Sequence, residues 1–422
     1  MEADETERIA RSRGLLPRYL TSELPGVGGA TRVALEDFLV EELPLYGPSG
    51  SGQHTLFAIE KRGIATPEAI ARLAAALRLP PRAFSSAGLK DARAIARQTL
   101  SVEGATPEQV RAVDVPDVRI LWAERHRNRL KIGHLRGNRF TIRIRGVGPE
   151  AIEPATAILA VLQRRGVPNG FGYQRFGARW NSHLLGQAIL RGDLGEFWHI
   201  YLGSPDAFDP PEGQEARQRF DAGDYAGALA CWRARGSAEY RALGALAGGR
   251  GPQVAYDQVP HNLKELFLSA HQSFLYNRLL EVRLETLDRL ENGDLAIKHD
   301  NGAFFRVEDA DLEQPRADRL EISPSGPLYG YRGRLAEGRP GEREHALLSQ
   351  EGLTLESWHL PGGLRVMGGR RPLRVPLGDV QVRYDGGLVL EFALPAGAYA
   401  SNVVAEVTKG TGAAMPTDRV RR

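Results

Sequence analysis

Gly88-Leu89-Lys90-Asp91-Ala92-Arg93-Ala94, followed by Gln98, places a carboxylate beside an ammonium in what reads as a turn between two ordered segments. Upstream, Thr66 reads as a helix N-cap with Pro67 at the first helical position, and Ile70, Leu73, Ala74 and Leu77 fall on one helical face. Downstream, Thr99 to Val102 reads as a strand. An Asp in a glycine-containing turn is by default a turn former or a cap. A carboxylate kept ionised by a neighbouring cation can also act as a nucleophile or move a proton. Both readings of Asp91 stand on the residues alone.

Working outward, strand and helix patterns alternate. Thr55, Phe57 and Ile59 give His54 to Glu60 a period of two, and Val118 to Trp122 is strand-like. In Arg139 to Arg145, Phe140, Ile142 and Ile144 lie on one side and Thr141, Arg143 and Arg145 on the other, one face core and one basic. Ile158, Leu159 and Leu162 mark a helix that stops at Gly166. Asp206 to Glu215 is rich in Pro, Asp and Gly. A long helix is expected over Asn262 to Leu290, with Leu263, Phe267, Ala270 and Phe274 on one face and a stop at Asn292-Gly293. Strands resume at Val380 to Tyr384 and Leu388 to Leu394, and Pro395-Ala396-Gly397 leads to a last short helix. Met1 to Arg13 is charged and Glu23 to Gly29 is glycine-rich, which suggests a mobile arm.

At 422 residues with 42% apolar side chains, two domains are expected. The net charge of +3 is too small to argue for nucleic acid, but its distribution is uneven. Arg119, Arg125, Arg127, Arg129, Lys131, Arg136, Arg139, Arg143 and Arg145 face only Glu124 in the same stretch. That excess is either a solvated face or a phosphate-binding one. Cys231 is the only cysteine, which excludes an internal disulfide and a multi-thiolate metal site and fits a reducing cytoplasm. No apolar run approaches the roughly 20 residues of a membrane span. Gly47 and Gly52 have phosphate-loop spacing, but Gln53-His54 follows where Lys-Ser/Thr is required. The histidines form no HExxH or similar set, so neither a nucleotide cofactor nor a metal is expected.

Four segments, in order, resemble the signatures of the TruD family of tRNA pseudouridine synthases: Asp37-Phe38-Leu39-Val40-Glu41-Glu42, Gly88-Leu89-Lys90-Asp91, Gly137-Asn138-Arg139-Phe140, and Pro168-Asn169-Gly170-Phe171-Gly172-Tyr173-Gln174-Arg175-Phe176-Gly177. The last departs from the family pattern at Gly170, where Tyr is usual. The resemblance runs from about Leu24 to Lys409 and is weakest in the middle of the chain.

The resemblance implies an α+β fold: a pseudouridine-synthase-like catalytic domain on a mainly antiparallel sheet, interrupted by an inserted α/β TRUD domain that forms the other wall of an RNA cleft. Boundaries are expected at 1–30 for the arm, 31–179 and 368–422 for the catalytic domain, and 180–367 for the insertion. It implies conversion of uridine to pseudouridine, at tRNA position 13, with no cofactor. Asp91 would be the nucleophile, with Lys90 or Arg32 as its salt-bridge partner. Phe140 would pack against the target base, with Asn138 and Phe38 supporting the pocket; for both phenylalanines a plain core role stays open. RNA contacts are expected from Arg136, Arg139, Arg143, Arg145, Gln174 and Arg175. A cytoplasmic monomer acting on tRNA is expected, and the rival is a non-catalytic RNA-binding or RNA-folding protein that retains the fold.

Overall fold

The computed structural model of the protein describes residues 3–410, which separate into two units: 21–167 with 375–410, and 3–20 with 168–374. Each has its own core.

The first of these is built on an eight-stranded sheet. Its first six strands are β1 (Phe38–Pro44), β2 (His54–Arg62), β3 (Phe84–Ser86), β4 (Ile95–Glu103), β5 (Val118–His126) and β6 (Leu135–Ile144), and the strands Gly378–Tyr384 and Leu388–Pro395 complete it. From one edge the order is Gly378–Tyr384, Leu388–Pro395, β6, β1, β4, β2, β5, with β3 paired to β4. Every pairing is antiparallel except β1 with β4. The period-two pattern dictates this: Phe140, Ile142 and Ile144 are all buried, while the alternate Thr141, Arg143 and Arg145 are partly exposed. The helix Thr66–Leu77 sets Leu73 and Ala74 against Phe57, Ile59, Leu100 and Val102 of the sheet. Its N-cap position is Ala65, one residue before the Thr66 expected, because the Thr66 hydroxyl is engaged elsewhere. The helix Ile152–Arg165 ends at Gly166, whose φ of 85° is open only to glycine without strain.

The other unit combines helices with a four-stranded antiparallel sheet, Gly369–Pro372, Ile322–Leu328, Leu295–Lys298 and Phe304–Arg306 in that order. The long helix is His261–Val282, shorter than the expected Asn262 to Leu290. The apolar period ran on because Leu284, Leu287 and Leu290 are also buried, from a short 3-10 turn and the loop after it. Residues 3–12, expected within an arm, form a helix whose Ile9 and Ala10 are buried, and Arg13 pairs with Asp206. Tyr173, Phe176 and Trp180 belong to this unit's aromatic core with Phe197 and Phe267, so the Pro168–Gly177 segment sits here, in the same unit as 180–367.

Candidate active site

Asp91 lies in the irregular segment between β3 and β4, and its side chain is 48% exposed. Arg32 Nη2 donates to Asp91 Oδ2 at 2.9 Å. Arg32 has a φ of 58°, a left-handed conformation that costs a non-glycine residue of order 1 kcal/mol. That backbone aims a guanidinium at the carboxylate and sets it 3.8 Å from the centre of the Phe38 ring. Of the two cations considered for Asp91, Arg32 is the one that pairs with it.

Lys90 turns the other way. Its Nζ donates to Asn138 Oδ1 at 2.6 Å and lies 3.3 Å from Glu42 Oε2, with both charged side chains almost fully buried. β1 and β6 place Glu42 directly opposite Asn138, which is why the three groups converge. Glu42 Oε1 also accepts from the Thr99 backbone N–H at 3.2 Å. Burial pushes the Glu42 carboxyl above its ordinary value, and the Lys90 charge and the Thr99 hydrogen bond only partly offset it. The main chain of the loop is held as well: Thr66 Oγ1 accepts from the Lys90 N–H at 2.9 Å and donates to Gln98 Oε1 at 3.0 Å. On the far side of the loop, Gly133 N–H donates to Ala87 O at 2.8 Å.

Phe38 meets Phe140 edge to face at 6.1 Å, and Phe140 tilts against Phe392 at 5.5 Å. Phe140 is only 7% exposed. Gly137 is required by close approach: a Cβ there would stand 2.1 Å from Leu394 O on the neighbouring strand. Thus Asp91, Arg32 and Phe38 form one group, Lys90, Asn138 and Glu42 a second, and Phe140 joins them through Phe38 and its own strand.

The arginines divide. Arg136 is exposed at the start of β6. Arg139 pairs with Asp379 at 2.9 Å and Arg143 with Asp385 at 2.7 Å, while Arg145 chelates the fully buried Asp37 with Nε at 2.9 and 2.8 Å. Burial alone would raise the Asp37 pKa, but the Arg145 and Ala34 hydrogen bonds hold it below its ordinary value. Strand alternation puts these three arginines on the sheet face opposite Asn138 and Phe140. In the other unit Gln174 is exposed. Arg175 is occupied by Ser273 Oγ at 2.9 Å and by Ser269, beside the Phe171 ring.

Residues 16–407 match the TruD family, described as tRNA pseudouridine synthase D. The chain belongs to the TruD family. It is 49% identical over 395 residues to a tRNA pseudouridine synthase D of Geobacter metallireducens, covering 93% of this chain and 98% of that one. It is 37% identical over 393 residues to the enzyme of the same name from Anaeromyxobacter dehalogenans, covering 93% and 96%. A crystal structure of a Methanosarcina mazei protein assigned to TruD superposes with a TM-score of 0.83 at 28% identity, over 97% of this chain and 99% of that one. The expected α+β, mainly antiparallel fold is therefore that of the TruD family.

Glu42, Lys61, Thr66 and Phe392 were not read from sequence as site residues: Glu42 stood only within the first family motif and Thr66 only as a helix cap. Each reaches the site through strand register or a backbone contact. Only the strand alternation of Leu388 to Leu394 could have pointed to one of them, Phe392, as a buried neighbour of β6.

Because Phe140 is packed between two other rings, truncation should test structure and chemistry together. Phe140→Ala is expected to cost about 3 to 5 kcal/mol of stability, as for a buried aromatic. Phe140→Leu, nearer in volume, should stay folded at 25 °C yet lose single-turnover rate through lost base stacking, worth about 1 to 3 kcal/mol per base. Urea unfolding and rapid-quench conversion, measured on the same preparations, separate the two effects. Full rate in a folded Phe140→Leu protein would reduce Phe140 to a core residue.

Proposed function

We propose that this chain converts uridine to pseudouridine at position 13 of tRNA, with Asp91 as the nucleophile. The observation that carries this is the half-exposed Asp91 carboxylate, ion-paired by Arg32 and set on a loop whose neighbour Lys90 is locked to Asn138 and Glu42. A merely structural turn Asp needs none of that fixing. A half-exposed carboxylate held by a guanidinium partner is oriented and open to a substrate, which is what attack requires.

In this reading Asp91 attacks the bound nucleotide and the bond from the ribose C1′ to uracil N1 breaks. The uracil turns, a C1′–C5 bond forms, the bond to Asp91 breaks so that its carboxylate is released, C5 loses its proton and N1 gains one. Substrate and product have the same composition, so the step consumes no oxidant, reductant or nucleotide. The Phe38 and Phe140 rings offer an apolar wall for the turning base. We place the activity in the cytoplasm, by a monomer; among the described residues no helix is long and apolar enough to cross a membrane.

The phosphate contacts are assigned to Arg127, Lys131 and Arg136, which are exposed on and beside the loop that Gly133 ties to the Asp91 segment. Arg139, Arg143 and Arg145 already have carboxylate partners on the opposite sheet face. Neutralising Lys131 and Arg136 together should weaken binding of any tRNA and flatten the slope of log K against log salt by roughly 0.9 per lost phosphate contact. Neutralising Arg143 and Arg145 should leave the slope unchanged. The opposite pattern, measured by filter binding across a salt series, would move the RNA path to the other face.

The direct test of the activity is incubation of the purified chain with an unmodified tRNA transcript, followed by pseudouridine mapping. Product at position 13 is expected. RNA binding without product would favour the non-catalytic alternative.

A further inference from the structure

Lys61 is fully buried in β2, next to the end of the strand, and its acceptors are neutral: Nζ donates to Ile64 O and to Asp91 O, each at 2.7 Å. Burying an ammonium costs several kcal/mol, and a buried lysine is ordinarily matched by a carboxylate. Here the cation is spent on two carbonyls, one of them belonging to the proposed nucleophile. A methionine would fill the same space at lower cost, so fold stability alone does not account for the charge.

We propose that Lys61 is a positioning residue for the nucleophile, its ammonium fixing the main chain at Asp91 and keeping positive charge beside that loop. This rests on the assignment of Asp91 as nucleophile. Lys61 holds the carbonyl of Asp91 while Thr66 holds the N–H of Lys90, so the main chain is anchored at two consecutive residues by buried side chains. The charged groups that act on Lys61 are Asp91, which favours its ammonium form, and Lys90, which opposes it. Lys90 is itself turned to Glu42. The Glu60, Arg97 and Arg119 cluster belongs to the alternate positions of β2, β4 and β5, on the other face of the sheet. Across the same face β4 presents Ala96 and β5 Val118, neither of which titrates.

Burial pushes Lys61 down to about 8, against an ordinary 10.5. The consequence has opposite signs for activity and stability. The catalytic rate should fall as pH rises through about 8, because the ammonium is lost. Stability should change the other way: between about 8 and 10.5 the unfolded chain binds a proton that the folded one does not, so the Lys61 contribution to stability rises with pH. A lysine that served only the fold would not lose activity while it gained stability.

The experiment measures single-turnover conversion of a tRNA transcript against pH for wild type, Lys61→Gln, Lys61→Met and Asp91→Asn, with tRNA affinity and urea stability alongside. Lys61→Gln and Lys61→Met should convert roughly 10- to 100-fold more slowly, with tRNA affinity and the folded fraction unchanged and the alkaline limb gone. A wild-type rate in either variant, a limb that persists in both, or a rate loss that only follows the unfolded fraction would overturn the proposal. If both variants fail to fold, the wild-type profile decides: a one-proton fall near pH 8 supports it, and a level rate up to pH of about 9.5 overturns it. Conversion by Asp91→Asn would instead remove the nucleophile assignment, which keeps the two failures apart.

Discussion

Asp91→Asn is expected to abolish pseudouridine formation, by at least roughly a thousandfold in single-turnover rate, while the protein folds and binds tRNA as before. The substitution keeps the size of the side chain and removes only the charge and the nucleophilic oxygen. Because Asp91 is half exposed and its partner Arg32 is accessible, the lost ion pair changes stability little, within the range of about 0 to 1 kcal/mol for surface pairs. The account therefore separates binding from chemistry cleanly: unchanged tRNA affinity, unchanged urea midpoint, no product. Residual conversion within about tenfold of wild type would mean that another group attacks.

The second large effect is structural and concerns Lys90. Removing this cation leaves Glu42, whose side chain is almost wholly buried, without its charged partner. Breaking a buried pair by removing one member costs about 3 to 5 kcal/mol, so Lys90→Met should lower the urea midpoint markedly. Since burial already holds the Glu42 pKa above its ordinary 4.5, the orphaned carboxyl will take up a proton in the folded state. The folded variant then binds a proton that the unfolded chain releases, so it is favoured by acid, and its deficit grows as pH rises through the raised value. Adding Glu42→Gln should restore most of the stability, a coupling that a double-mutant cycle reads directly. Activity should stay low in the double variant, because Asn138 has lost the ammonium it holds. A Lys90→Met protein as stable as wild type at neutral pH would contradict the buried-pair description.

Much of the candidate site was legible because its residues sit in short contiguous strings. Gly88-Leu89-Lys90-Asp91 and Gly137-Asn138-Arg139-Phe140 could be read residue by residue, and the alternation in β6 gave the correct buried side. The parts that escaped depend on register. Glu42 matters because β1 and β6 set it opposite Asn138, and Lys61 because β2 ends opposite the first residue of β4, where the Asp91 loop ends. Thr66 looked like a cap because threonine before proline usually is one; the loop of Asp91, packed over the helix start, takes its hydroxyl instead. The basic run was visible as charge, but not the distant Asp37, Asp379 and Asp385 that pair with half of one strand face. No local pattern shows which carboxylate a folded sheet will bring to an arginine.

The most direct test of the central claim is pseudouridine mapping of tRNA from cells that lack this protein and are supplied with either the wild-type chain or Asp91→Asn. The account predicts that the wild type restores pseudouridine at position 13 and that Asp91→Asn, at equal protein level, restores none. Modification restored by Asp91→Asn, or none restored by the wild type, would contradict it.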